Sequence, residues 1–324
     1  MAMPTDTFAT YQAVGNREDL SDMIYRIDPT DTPFTSGIDK VATHAVNHEW
    51  QTQALATAAA TNYQLEGDDA AADVATPTVR KGNLHQISRK VAMVAGTQQA
   101  VDHAGRDDEM AYQEMLKGLE LKRDVERYLL TNNKKVTGDT TTARRTGAVM
   151  SWIKTNNSSG ATGSAPGTSD GGTSRTDGTT RAFTEALLKT VLASAYNNGG
   201  KPDVIMVNSF NKQQFSTFTG RASPIEETSS KKIVASVDAY ESDFGRLKVV
   251  PNRLQRSAVY SDTVSEAFVF EMDKWALGHL PGRKLKSIVL STTGDSIKRE
   301  VLTEFVLEAR NEKASGIVAD LTVA

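Results

Sequence analysis

The stretch DDEMAYQEMLKGLELKRDVERYLLTN, residues 107–132, constrains the fold of this chain more than any other. It keeps a helical pattern over about 26 residues, or about 39 Å, whereas a globular helix usually runs about 11–12 residues. Asp107, Asp108 and Glu109 favour its N-terminus, where the helix dipole is positive. Met115, Leu119, Val125, Tyr128 and Leu129 contribute to its apolar faces. Glu120 with Asp124, and Lys122 with Glu126, place charges one turn apart on an outer face. A helix of this length is a rigid strut across a domain, and other elements must be laid along it.

Upstream, NREDLSDMIYRIDPTDTPF (Asn16 to Phe34) reads as a second, shorter helix with a sharp stop. Asn16 can cap it, and Leu20, Met23, Ile24 and Ile27 form one apolar stripe at helical spacing. Asp28 precedes Pro29 and is pushed out of the helical region; Pro33 keeps the following residues extended or turning. A helix of about a dozen residues is marginal alone, so this one must dock on something.

Residues 44–56 and 79–95 read as two strands of a long hairpin. The tip between them, Thr57 to Pro77, is rich in Ala, Thr, Asp and Gly and poor in large apolar residues. A two-stranded ribbon is marginal in water. It therefore calls for support from neighbouring chains, or else folds back on its own domain. Residues 155–180, almost all small or polar, read as a flexible loop inserted between ordered parts. A helix over 181–200, a buried strand over 202–208 and a helix over 209–220 capped by Ser209 suggest a small α/β unit. Strand signals follow at 232–240, 245–252, 258–262, 266–272, 284–292, 295–311 and 315–323, with NEKAS as a hairpin connection between the last two.

The net charge of −3, from 37 basic and 40 acidic residues, argues against a dedicated nucleic-acid binder. With no cysteine, disulfides, thiolate metal sites and thiol nucleophiles are excluded. The first residues lack the basic and apolar regions of a secretory signal, and no apolar run approaches the roughly 18 residues of a membrane span. Phosphate-loop, dinucleotide, nucleophile-elbow and zinc-protease motifs are all missing. His44 and His48 lie four apart with Glu49 beside them, but no third metal ligand is evident. Glu66, Asp68, Asp69 and Asp73 make an acidic tip that reads either as solvated or as a seat for a hard cation. The pairs Lys134/Lys135 and Arg144/Arg145 are candidates to face DNA phosphates. No cofactor and no catalytic residue is expected.

The order of these elements resembles the HK97-type fold of tailed-phage major capsid proteins, an α+β fold. Four stretches resemble the SU10-type major head protein family more closely: NREDLSDMIYRIDPTDTPF, KPDVIMVN (201–208), GRLKVVPNR (245–253) and LEARNEKASGIVADL (307–321). The resemblance implies an N-terminal arm over 1–43, an E-loop over 44–95 and a P-domain part over 96–180 with its spine helix at 107–132. It further implies an A-domain over 181–272 and returning P-domain strands over 273–324. It implies arm contacts at Leu20, Met23, Ile24, Ile27, Pro29, Pro33 and Phe34, and E-loop contacts at Trp50, Tyr63, Leu65, Glu66, Asp68 and Asp69. Arg310, Asn311, Glu312 and Lys313 become candidates for threefold contacts, and Arg221, Glu226 and Glu227 for an axial loop. The implied function is self-assembly, as hexamers and pentamers, into the icosahedral shell around a phage genome in the virion. Portal and scaffolding proteins, a cement or decoration protein and packaged double-stranded DNA are the implied partners; no membrane is. The HK97 phage crosslinks its subunits through an E-loop lysine, and the tip from Thr57 to Pro77 has none, so covalent crosslinking is not supported. With no long helical segment ahead of the arm, scaffolding is expected from a separate protein or a removed pro-segment. The alternatives are an encapsulin-type compartment shell and a β-rich hydrolase.

Overall fold

The computed structural model describes residues 28–69, 72–218 and 239–323. The expected helix carrying Leu20, Met23, Ile24 and Ile27 lies outside them, as do Arg221, Glu226 and Glu227. A short helix α1 (Pro33–Gly37) leads into strand β1 (Asp39–Ala42). Strands β2 (Asn47–Thr52), β3 (Val79–Leu84) and β4 (Gln86–Ala95) follow, then a one-turn α2 (Gly96–Ala100) and the strut α3 (Glu109–Leu129). After the two-residue β5 (Asn157–Ser158) come α4 (Glu185–Asn197), β6 (Val204–Val207), α5 (Ser209–Ser216), β7 (Ala239–Ser242), β8 (Gly245–Pro251) and β9 (Ser265–Phe270). The chain closes with β10 (Trp275–His279), β11 (Lys286–Leu290), β12 (Ser296–Ala309) and β13 (Gly316–Leu321).

The strut begins where its acidic residues place it. Asp108 caps α3 by accepting from the Ala111 N–H at 3.0 Å. Leu121, Val125 and Leu129, each one turn apart, are buried. The strut lies on a five-stranded sheet ordered β1-β10-β12-β11, with β4 along the other side of β12. Lys90 on β4 pairs with Asp124 at 2.9 Å, and Arg299 on β12 pairs with Glu114 at 2.5 Å, fastening helix to sheet.

A second sheet of six strands runs β5-β13-β9-β6-β8-β7. Its central strands are apolar on both faces, which is why VIMV and AFVF read as unbroken runs. Ile205, Val207, Ala267 and Val269 pack under α4 and α5 with Leu188, Leu192 and Phe215. Met206, Phe268 and Phe270 face the other way, into a core shared with Phe34, Leu129, Trp152 and Trp275. The two sheets are thus joined by one aromatic core and not by a linker.

Several expectations change. The hairpin is shorter: β2 and β3 pair from Asn47↔Leu84 to Thr52↔Val79. Beyond His85 the chain leaves the ribbon and pairs with β12 over ten residues, because Ala92 and Val94 are needed under the strut. Residues 258–262 are not a strand but a 3₁₀ turn closed by Ser261 in the left-handed region. Asn208, not Ser209, caps α5. The NEKAS turn is no hairpin, since β12 belongs to the first sheet and β13 to the second. Consequently the C-terminal strand does not join the sheet under the strut; it lies between β5 and β9 of the second sheet.

The insertion 155–180 is packed and hydrogen-bonded, not loose. Gly171 adopts φ +75°, and a Cβ there would meet the Trp152 ring at 2.9 Å. The Gly171 carbonyl accepts from the Lys135 N–H at 2.7 Å, and Ser164 and Thr176 exchange a pair of backbone bonds at 3.0 Å. Small residues here serve close backbone approach, a use that composition does not distinguish from disorder.

Candidate assembly surfaces

The arm enters the body through a carboxylate on the strut. Glu126 accepts from the backbone N–H groups of Phe34 at 2.8 Å and Thr35 at 2.7 Å, and from Asn252 Nδ2 at 2.7 Å. These are first-turn amides of α1, which have no partner inside their own helix. Burial pushes the Glu126 carboxyl above its usual value, while the bonds from Thr35, Phe34 and Asn252 oppose that shift. Phe34 is fully buried, with its ring 5.0 Å from Phe270 and 6.4 Å from Trp275. Phe34 therefore belongs to the chain's own core and is not free to touch a neighbour. Glu126, expected on an outer face, is buried for the same reason. Pro29 and Pro33 line a cleft of about 760 Å³ together with Arg123, Asn208, Asn252 and Tyr260.

The ribbon is rooted by its indole. Trp50 lies 5.3 Å, centroid to centroid, from Trp152 and donates from Nε1 to the Ala309 carbonyl at 3.0 Å. His48 bonds Glu308 at 2.7 Å, and Asn83 donates to the carbonyls of Gly147 and Leu307 at 3.1 and 2.8 Å. Trp50, expected at an interface, is thus spent inside the chain. So is His48 as a metal ligand; among the described residues no group of three His, Asp or Glu side chains could hold an ion. Beyond Thr52 the picture inverts. Every described residue from Gln53 to Thr78 is exposed, including Leu55 (96 %), Tyr63 (79 %), Leu65 (81 %) and Val74 (95 %). Glu66, Asp68 and Asp69 sit at the same tip around a turn at Gly67, φ +84°.

The other candidates divide. Glu312 is buried and accepts from the N–H groups of Lys154 and Thr155 and from the Thr155 hydroxyl. Asn311 caps its own turn through the Lys313 N–H at 3.1 Å, and Arg310 pairs with Asp39 at 2.5 Å and Glu308 at 3.0 Å. Among these, Glu312 cannot serve a threefold contact; it holds the crossing between the two sheets. Arg144 donates to the His85 carbonyl at 2.8 Å and pairs with Glu304, and Lys135 donates to the Gly82 carbonyl at 3.1 Å. Those two cations brace the ribbon root. Lys134 and Arg145 remain exposed.

Comparison with known proteins decides the family. The profile of the SU10 major capsid protein family matches residues 3–322. This chain belongs to the SU10 major capsid protein family. A major capsid protein of Escherichia phage Phieco32 is 30 % identical, the match covering 98 % of this chain and 97 % of that one. Among solved structures, the capsid of a native GTA particle superposes with a TM-score of 0.62 at 10 % identity, over 97 % of both chains. The SrpI encapsulin of Synechococcus elongatus PCC 7942 superposes with a TM-score of 0.53 at 9 % identity, over 93 % of both. The fold is the HK97-type capsid fold, as its element order suggests.

In this SU10-family chain one site escaped the sequence reading. Asp320, at φ +59°, is fully buried and accepts from Arg175 Nη2 at 2.8 Å and from the N–H groups of Gly160 and Gly178 at 2.8 and 2.9 Å. Arg175 also pairs with Asp177 at 2.6 Å; Asp177 pairs with Arg256 at 2.7 Å, and Arg256 with the buried Glu266. This chain of charges ties the insertion to β13, to β9 and to the loop after β8. Burial would raise the Asp320 carboxyl, but Arg175, Gly178 and Gly160 hold it below the usual carboxylate range. The residues come from four distant segments, so no local spacing could announce them.

Proposed function

We propose that this chain is the repeating tile of an icosahedral phage head, assembled as hexamers and pentamers around double-stranded DNA. The observation that carries the reading is the ribbon tip. The described residues from Gln53 to Thr78, which include Leu55, Tyr63, Leu65 and Val74, are all exposed and bury almost nothing within one chain. Such a tip gains its stability from a neighbour's surface. Tyr63, Leu65, Glu66, Asp68 and Asp69 are the contacts we assign to it. The role is structural and needs no catalysis. The rigid strut and the shared aromatic core keep each tile's shape while ribbon and arm adapt to their neighbours. A portal, a scaffold and a decoration protein are the partners such a head would use, with Lys134 and Arg145 available for weak phosphate contact.

An encapsulin shares the fold, but the family match and the full-length similarity to a phage capsid protein favour the virion. Negative-stain electron microscopy of the purified chain, alone and co-expressed with a scaffold from its gene neighbourhood, tests the proposal. Closed shells, capsomers or tubes are expected. A strictly monomeric protein under both conditions would overturn it.

A further inference from the structure

Where the arm root crosses the strut, a cavity of about 440 Å³ opens between α1, α3, β10 and the loop after β10. Its base is apolar. Leu121 and Val125 of the strut and Leu277 of β10 line it and are buried, and Leu285 on its wall is 48 % exposed. Sites for small ligands have this size and this make-up, with a few polar groups that fix one end of the ligand.

The charged groups here are of one sign. Lys40, Lys122 and Lys284 line the cavity together with His279, and no described Asp or Glu does. Lys122 and Lys284 make no ion pair or hydrogen bond with any described residue. Lys40 donates to the Thr35 carbonyl, and Asp39 and Glu126 answer part of its charge. His279 donates from Nδ1 to the Glu304 carbonyl at 3.0 Å, and its Nε2 has no hydrogen-bond partner among the described residues.

These groups crowd one another. Burial, and after it Lys284, lowers the pKa of Lys40; burial, and after it Lys284 and Lys40, lowers that of His279, against the bond to the Glu304 carbonyl. The acids of the neighbourhood are engaged elsewhere. Glu304 pairs with Arg144 and Arg283, Asp39 with Arg310, and Glu126 holds the Phe34 and Thr35 amides. Like charges gathered over an apolar surface favour the entry of a counter-charge. A nucleic-acid phosphate would answer the lysines and leave the apolar base wet. A neutral apolar molecule would cover the base and leave the charges unanswered.

We propose that this cavity binds a single-chain aliphatic anion, its carboxylate or phosphate head among Lys40, Lys122 and Lys284 and its chain over Leu121, Val125 and Leu277. The apolar base and the uncompensated lysines then serve the two halves of one molecule. Thr32, Thr35 and Ser36 of the arm root line the same cavity. The bound anion therefore touches arm, strut and sheet at once and clamps the root of the arm. The inference goes beyond the shell-forming reading and does not depend on it.

Isothermal titration of the full chain with octyl phosphate and with octanoate, both below their micelle concentrations, tests the proposal. Saturable binding of one molecule per chain is expected. It should be at least about tenfold tighter than binding of inorganic phosphate or acetate, which lack the chain, and of octanol, which lacks the charge. No binding of either octyl anion, or equal binding of any of these controls, would overturn the proposal. Lys122 and Lys284 are exposed and unpaired, so Lys122→Gln/Lys284→Gln should keep the wild-type unfolding midpoint. The same double variant should lose at least about tenfold in affinity for octyl phosphate; an unchanged affinity would contradict the assignment. Tyr63→Asp/Leu65→Asp should bind as wild type does, and a loss there would give the binding to the exposed ribbon tip instead. A short DNA duplex or polyglutamate whose binding depends on the two lysines, with no binding of the octyl anions, would assign the face to a macromolecule and remove the proposal. Particle counts by microscopy need no added anion, so failure here leaves the shell reading standing.

Discussion

Oε1 of Glu126 accepts the backbone N–H of Phe34 at 2.8 Å, joining the strut to the arm root across 92 positions of sequence. The second carboxylate oxygen takes Thr35, so one side chain stands in for the missing first-turn acceptors of α1. This places Phe34 in the aromatic core and fixes the direction from which the arm leaves the body.

Glu126→Ala leaves the Phe34 and Thr35 amides and Asn252 without an acceptor and should cost about 3 kcal/mol in urea unfolding. Glu126→Gln keeps one acceptor oxygen, turns the other into a donor, and should cost less than Ala, with a distinctive pH dependence. Folded Glu126 titrates above its ordinary value near 4.5, so above that pH the folded state retains a proton the unfolded state has released. This term is fully favourable below 4.5 and is lost as pH rises through the folded value. The difference in stability between Gln and wild type should therefore move in favour of Gln as pH rises. A pH-independent difference would contradict the burial argument.

Asp320 carries the opposite sign. Its folded carboxyl lies below 3.8, so it contributes stability above that pH and loses it as pH falls through the folded value. Asp320→Asn keeps the shape and tolerates φ +59°, but leaves Arg175 without its buried counter-charge. It should cost about 3 kcal/mol near neutral pH, and that penalty should shrink below pH 3.8. Chemical denaturation at two pH values reads both effects.

Trp50→Ala removes the stack on Trp152 and the bond to Ala309. For this half-buried indole the cost should be about 2–3 kcal/mol, concentrated in the ribbon. Hydrogen exchange should rise in β2 and β3 while α3 and β9 stay protected. Uniform loss of protection would show that the ribbon root is inseparable from the core.

The long elements were legible because their signals are local. The strut, the α4 helix and the VIMV and AFVF strands each carry their own periodicity or apolar run. What escaped depends on residues far apart. Glu126 reads as one half of a surface pair with Lys122 until α1 is laid across it. The Gly- and Thr-rich insertion reads as disorder until Trp152 and Asp320 supply partners for its backbone. The turn at Asn311 joins strands that look like a hairpin in sequence, because no local feature tells which sheet the second strand will enter. Phe34 and Trp50 looked like contact residues for the same reason: an aromatic on an arm or ribbon does not announce whose core it fills.

The central claim, that the exposed ribbon tip holds one tile to the next, is tested most directly by counting particles of a tip variant. In Tyr63→Asp/Leu65→Asp both apolar side chains, exposed in the single chain, become charged, so the subunit's unfolding midpoint should match wild type. Negative-stain microscopy of equal amounts of the two proteins should then show shells or capsomers for wild type and a loss of at least about tenfold for the variant. Shells formed by the variant in wild-type numbers would contradict the account.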